Sequence, residues 1–99
     1  MNTDNLYAVL FEDNPGTDHL RQQHMASHLA FLSANADQFK AAGPLTDAAT
    51  GNPAGGLWVV ASDSLDSVER LVREDPFFPT GLRQSFRILS WRQVFTRSD

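Results

Sequence analysis

The sequence predicts a two-layer α+β sandwich in the order strand, helix, strand, strand, helix, strand, and three observations carry that reading. Short apolar runs rich in strand formers open, centre and close the chain. Two stretches with helical spacing of apolar residues lie between them. Clusters of Pro, Gly, Asn and Asp punctuate the junctions. At 99 residues the chain is one domain near the lower end of the usual range. Its 41% hydrophobic and 20% charged residues suit a globular fold and exclude a disordered or fibrous one.

The first strand is Leu6 to Phe11, nearly continuously apolar, and Glu12-Asp13-Asn14-Pro15-Gly16 ends it with a dense run of turn residues. Thr17 is a candidate helix cap, with Asp18 placed at the positive end of the helix that follows. That helix should run to about Asn35. At 100° per residue, Met25, Leu29, Leu32 and Ala36 form one stripe, Leu20 and Phe31 a second, and His28 falls between them. Asp37 to Ala42 reads as a second strand closed by Gly43-Pro44, and Leu45 to Gly55 as a long hairpin loop. Gly56 to Ala61 is a third strand, apolar on both faces and therefore central.

Ser64 caps the second helix, Asp66 and Glu69 load its first turns with acid, and Leu65, Val68, Leu71 and Val72 make its buried face. Asp75-Pro76 ends it, since the residue before a proline is pushed out of the helical region. Phe77 to Leu82 is an apolar loop, and such a loop on a small domain usually covers something. Ser85 to Trp91 alternates as a fourth strand, followed by a tail in which Val94-Phe95 is expected to dock. This order is the ferredoxin-like split βαββαβ arrangement, a four-stranded antiparallel sheet with two helices on one face. The bare face of the sheet needs a cover, and a second copy packed face to face would supply it.

The net charge of −4 argues against a nucleic-acid backbone or an anionic membrane as the main partner. The chain has no cysteine, which removes disulfides, thiolate metal sites and cysteine nucleophiles together. Met1 to Asn5 lacks the basic and apolar parts of a secretion signal, and no apolar run approaches membrane-spanning length. A cytoplasmic protein is the expectation.

The chemistry centres on the histidines. His24 and His28 lie one helical turn apart and would stack on one side of a helix. A metal site would need a third protein ligand; His19 is on a poorly matched face, and the glutamate of the zinc-protease pattern is missing. No glycine-rich phosphate loop, dinucleotide fingerprint or Gly-flanked serine nucleophile is present, and neither a metal nor a cofactor is expected. Acid–base chemistry fits better, because a histidine becomes a directed base when a carboxylate fixes its tautomer. Two carboxylates are on offer, Asp37 past the first helix and Asp75 at the end of the second. Asp75 sits at a helix's negative end beside Glu74, where its ionised form needs a cation or a hydrogen bond to compensate.

Taken together, the strand Leu6 to Phe11, the motif His28-Leu29-Ala30-Phe31-Leu32, Ala42-Gly43-Pro44-Leu45, Asp75-Pro76-Phe77 with Gly81-Leu82, and the ending Val94-Phe95 make the chain resemble the YciI-like (YCII-related) proteins of the dimeric α/β-barrel superfamily. The resemblance implies a ferredoxin-like homodimer with a histidine–aspartate pair in a pocket, which maps onto His28 and Asp75. It also implies cofactor-free acid–base chemistry of the dehydrochlorinase or isomerase kind on a small molecule. Arg21, His24, Pro44, Trp58, Phe77 and Phe78 are the candidate substrate-binding residues. Many relatives carry an arginine three residues before the helix histidine, where this chain has Met25, and Arg21 is a possible substitute. The competing expectation is a non-catalytic dimeric module that binds a metabolite or a protein.

Overall fold

A computed structural model describes residues 5–97, and the start of the chain, read above for a secretion signal, lies outside the described residues up to position 4. The chain runs β1 (Asn5–Asp13), α1 (Asp18–Gln23), α2 (Met25–Ala34), β2 (Phe39–Thr46), β3 (Pro53–Ser62), α3 (Leu65–Glu74), a 3-10 turn (Phe78–Thr80) and β4 (Arg83–Ser90). The four strands form one antiparallel sheet in the order β2-β3-β1-β4, so β3 and β1 are central. This is the ferredoxin-like order, with the first helix divided in two.

Period-two alternation sorts the residues of the central strands. Tyr7, Val9 and Phe11 of β1 pair with Val60, Trp58 and Gly56 of β3, and all six are buried on the helix side of the sheet. Val68, Leu71 and Val72 of α3 complete that core. Trp58 is its hub, with the rings of Phe11 and Phe39 edge-on at 4.9 and 4.8 Å and Phe31 tilted at 6.3 Å. Such pairs add to area burial because ring edges are positive and ring faces negative. On the opposite face Ala8 pairs with Val59 and Leu89, and Leu10 pairs with Leu57 and Arg87.

The structure corrects several sequence expectations. The first helix breaks at His24, whose backbone (φ −108°, ψ 11°) leaves the helical region while still accepting from the His28 N–H at 3.0 Å. No proline or glycine marks this break. It reconciles two attachments, Arg21 of α1 to Asp13 of β1 and His28 of α2 to Asp75 beyond α3. Thr17 does not cap α1; its hydroxyl donates to the carbonyl of Asn14 at 2.6 Å and lies 3.3 Å from that of Leu82, which ties the loop before α1 to the loop before β4. Leu29 is 53% exposed, and Met25 and Leu32 are only half-buried, so their stripe borders an opening rather than filling the core.

Gly43-Pro44 lies inside β2 instead of closing it, and the hairpin loop shrinks to residues 47–52. A proline is tolerated there because β2 is an edge strand with one side unpaired. Ser64 caps α3 as expected, its hydroxyl accepting from the Ser67 N–H at 3.2 Å. Leu65 is 50% exposed, at the first position of the helix and ahead of its buried part. Val94 and Phe95 do not dock on their own chain and are 86% and 83% exposed. Among the described residues, no helix is long and apolar enough to cross a membrane.

Gly55 is where the β3 backbone crowds β1. Its φ is +124°, and a Cβ built there would stand 1.8 Å from the Phe11 carbonyl oxygen. Gly55→Ala should therefore lower stability in urea unfolding by at least ~3 kcal/mol. Gly51→Ala, with φ +77° but nothing within 4 Å, should cost only about 1–2 kcal/mol.

Candidate active site

Asp75 is the meeting point of three segments that are distant in the sequence. It ends α3, with its N–H on the Leu71 carbonyl at 3.1 Å and its backbone extended (φ −62°, ψ 129°) ahead of Pro76. The chain then turns, and the Asp75 side chain closes the turn by accepting from the Phe77 N–H at 3.1 Å through Oδ1. The same oxygen lies 2.9 Å from Nδ1 of His28 on α2. Nη1 of Arg83, the first residue of β4, lies 2.8 Å from Oδ2. These last two atoms meet off the hydrogen-bonding axis, so the contact is an ion pair rather than a hydrogen bond. The carboxylate is wholly buried, and the side chains of His28 and Arg83 are 9% and 10% exposed.

Burial by itself would raise the Asp75 carboxyl. The hydrogen bond from His28, the Arg83 charge and the Phe77 N–H outweigh burial and hold the group below its ordinary value of 3.8. Burial pulls the Arg83 guanidinium below its ordinary value, and the charge of Asp75 opposes that pull. Arg83 remains a cation, as arginine does in proteins. An ionised Asp75 can only accept, so the tautomer of neutral His28 follows from its partner: Nδ1 donates, and the lone pair falls on Nε2.

Around this pair the packing is aromatic. The Phe77 ring stacks on the His28 ring at 4.2 Å with 15° between planes. The Arg83 guanidinium lies 3.8 Å from the centre of the Phe11 ring and 5.4 and 5.3 Å from those of Trp58 and Phe77. Such contacts favour a cation held out of water. A cleft of about 100 Å³ opens beside His28. Phe11, Trp58 and Phe77 form its inner wall, and Met25, Leu29 and Leu32 of α2 form one side. Ala42, Gly43 and Pro44 of the edge strand face them, and Arg21 and Arg83 supply charge.

Of the residues singled out from sequence, His28, Arg21, Pro44, Trp58 and Phe77 all line this cleft, and Asp75 stands behind His28. His24 and Phe78 are not among the lining residues. His24 sits at the break between α1 and α2, and Phe78 is exposed beside Arg83, Gln84, Ser85 and Phe86. Asp37, the other candidate partner carboxylate, lies in the exposed turn after α2. Arg21 is held by Asp13 at 3.0 and 3.3 Å, so much of its charge is already matched. Sequence reasoning missed Arg83. The requirement that a buried Asp75 find a cation was legible, but nothing in the spacing selected this arginine. Among the described residues, no group of three or more His, Asp or Glu is placed to hold a metal ion.

Comparison with known proteins concerns the chain as a whole. A family profile described as the YCII-related domain matches residues 5–92. A solved structure of 5-chloro-2-hydroxyhydroquinone dehydrochlorinase from Burkholderia phenoliruptrix AC1100, in complex with 2,5-dihydroxybenzoquinone, is similar with 28% identity and a TM-score of 0.79. The match covers 88% of this chain and 93% of that one. A dimeric ferredoxin-like protein of unknown function from Thermobifida fusca shares the fold at 16% identity and a TM-score of 0.51, over 94% of this chain and 93% of that one. A Pseudomonas aeruginosa protein does so at 14% identity and a TM-score of 0.57, over 96% and 98%. No protein with a curated description matches.

The Asp75 shift has a consequence for stability. A carboxyl held below its unfolded value stabilises the fold fully at pH above that value, and loses the contribution as pH falls through the folded one. Acid unfolding of the native protein should therefore steepen below about pH 4. Asp75→Asn should flatten that part of a stability–pH curve measured by urea titration, while lowering stability at neutral pH by leaving Arg83 unpaired.

Proposed function

This chain belongs to the YCII-related domain family, and from that premise and the geometry of the cleft we propose that it is an acid–base lyase. His28 is the base, and Asp75 holds its ring. The observation that carries the reading is the 2.9 Å contact between His28 Nδ1 and a wholly buried Asp75 carboxylate. It leaves Nε2 as the basic nitrogen of a ring that lines the cleft. The similar dehydrochlorinase supports this reaction class and a small hydroxylated ring as substrate, and the aromatic lining of the cleft suits a ring. A closed cavity of roughly 150 Å³ takes up benzene, so a cleft of about 100 Å³ that opens at an exposed rim suits one ring and no more.

The chemistry balances without an outside oxidant. His28 Nε2 removes the proton of a ring hydroxyl, and electrons from that oxygen make the carbon bearing the halogen basic. The imidazolium returns the proton to that carbon. A second hydroxyl then loses its proton as chloride leaves, giving a quinone, one chloride and one proton. The carbon that exchanges chlorine for hydrogen is reduced, and the two hydroxyl-bearing carbons are oxidised.

The proposal includes a homodimer. The outer face of the sheet presents Leu6, Ala8, Leu10, Leu57, Val59 and Leu89, an apolar surface that a second copy would cover. In the assembly the cleft stays with the chain that supplies both His28 and Asp75.

Two measurements test these readings. With 5-chloro-2-hydroxyhydroquinone as probe, the protein should release chloride. His28→Ala should lower kcat/KM by about 100-fold or more while circular dichroism stays native. Chloride release that survives His28→Ala in a folded protein would remove the base assignment. Sedimentation should give a dimer that Val59→Asp converts to a folded monomer, because a charge buried on that face has no partner.

A further inference from the structure

Arg83 is the buried cation that neither the fold's core nor the proposed proton transfer uses directly. We propose that Arg83 is a positioning residue for the His28–Asp75 pair: standing against Oδ2, it keeps the Asp75 carboxylate a pure acceptor, so that the His28 proton stays on Nδ1 and Nε2 stays free. The inference rests on the base assignment above for its kinetic readout alone.

The groups facing this pair come from every element packed around it: His28 from α2, Asp75 from the end of α3, Arg83 from β4, and behind them Asp13 of β1 and Arg21 of α1. Asp13 and Arg21 are matched to each other at 3.0 Å. Asp75, at 2.8 Å, is the carboxylate that acts most strongly on the Arg83 charge, ahead of Asp13. Without that charge, a wholly buried carboxyl would more readily take up a proton. A protonated Asp75 would donate its O–H to Nδ1, the ring proton would move to Nε2, and the lone pair on Nε2 would be lost.

Geometry says why this arginine serves the pair more than the fold. Its Nη1 is buried and has no in-line acceptor, and a buried ion pair with poor hydrogen-bond geometry adds little to stability. Its guanidinium lies over the face of the Phe11 ring, where an uncharged chain of similar length would also pack. The Leu82 carbonyl, held by the Asn14 N–H at 2.8 Å, fixes where β4 begins and so where Arg83 projects.

The test compares Arg83→Met, which keeps the packing and loses the charge, with Arg83→Lys, which keeps the charge. The readouts are the ring-nitrogen resonances of His28 and the side-chain carboxyl resonance of Asp75, followed by NMR across the acid range. In the native protein and in Arg83→Lys, neutral His28 should show a protonated Nδ1 and a bare Nε2. In Arg83→Met, Nε2 should acquire protonated character and the Asp75 carboxyl should titrate at higher pH. Chloride release should fall about tenfold or more in Arg83→Met and recover in Arg83→Lys. A folded Arg83→Met with the native tautomer and the native Asp75 titration overturns the proposal, as does a folded Arg83→Lys that has lost the tautomer. If Arg83→Met does not fold, Arg83→Lys decides alone; if neither folds, Arg83 is a structural requirement and the proposal fails. The resonances need no substrate, so the expected tautomer in a protein without turnover would sink the proposed reaction and leave this inference standing.

Discussion

Everything around the cleft depends on one constraint: the carboxylate of Asp75 is out of water and still ionised. Removing such a group from water costs several kcal/mol after relaxation, and an opposite charge together with hydrogen bonds must offset that cost. Here the partners arrive from three directions. A backbone N–H comes from the turn that Pro76 enforces, an imidazole from α2, and a guanidinium from β4. Each partner fixes an element relative to the end of α3. The break at His24 follows from the same demand, since α2 must aim His28 at Asp75 while α1 is held on β1 by Arg21 and Asp13.

The aromatic residues serve both layers of the sandwich and the cleft. Trp58 is 2% exposed at the centre of the core, and its ring also forms part of the cleft wall. Phe11 packs edge-on against Trp58 on one side and carries Arg83 on the other. In a domain of 99 residues the core is one layer of side chains deep, so a cleft beside the sheet is necessarily lined by core residues. The apolar wall keeps water from the ion pair and strengthens it, and the stacked Phe77 ring holds the imidazole plane.

Local chemistry makes much of this legible along the chain. The strand at Leu6 to Phe11, the Ser64 cap, the stop at Asp75-Pro76 and the central placement of the Trp58 strand all rest on interactions within a few residues. So do the turn residues that separate them. The errors fall where a distant partner decides. Thr17 looks like a cap, but its hydroxyl turns instead to the carbonyls of Asn14 and Leu82. Pro44 looks like a terminator, but an edge strand with one free side accommodates it. The stripe of Met25, Leu29 and Leu32 looks like a core face, but it faces an opening.

Element order, fold class and two residues capable of acid–base chemistry can therefore be read from the amino acids alone, because periodicity, capping and the steric effect of proline are local. So can the need of Asp75 for compensation once it is buried. The family resemblance implies the pairing of His28 with Asp75, and it takes the folded chain to set their distance, to select Arg83 as the compensating cation and to leave Asp37 in solvent. Those choices depend on which side chains the sheet order and the helix break bring within 3 Å of one carboxylate. Spacing along the chain carries no record of that distance.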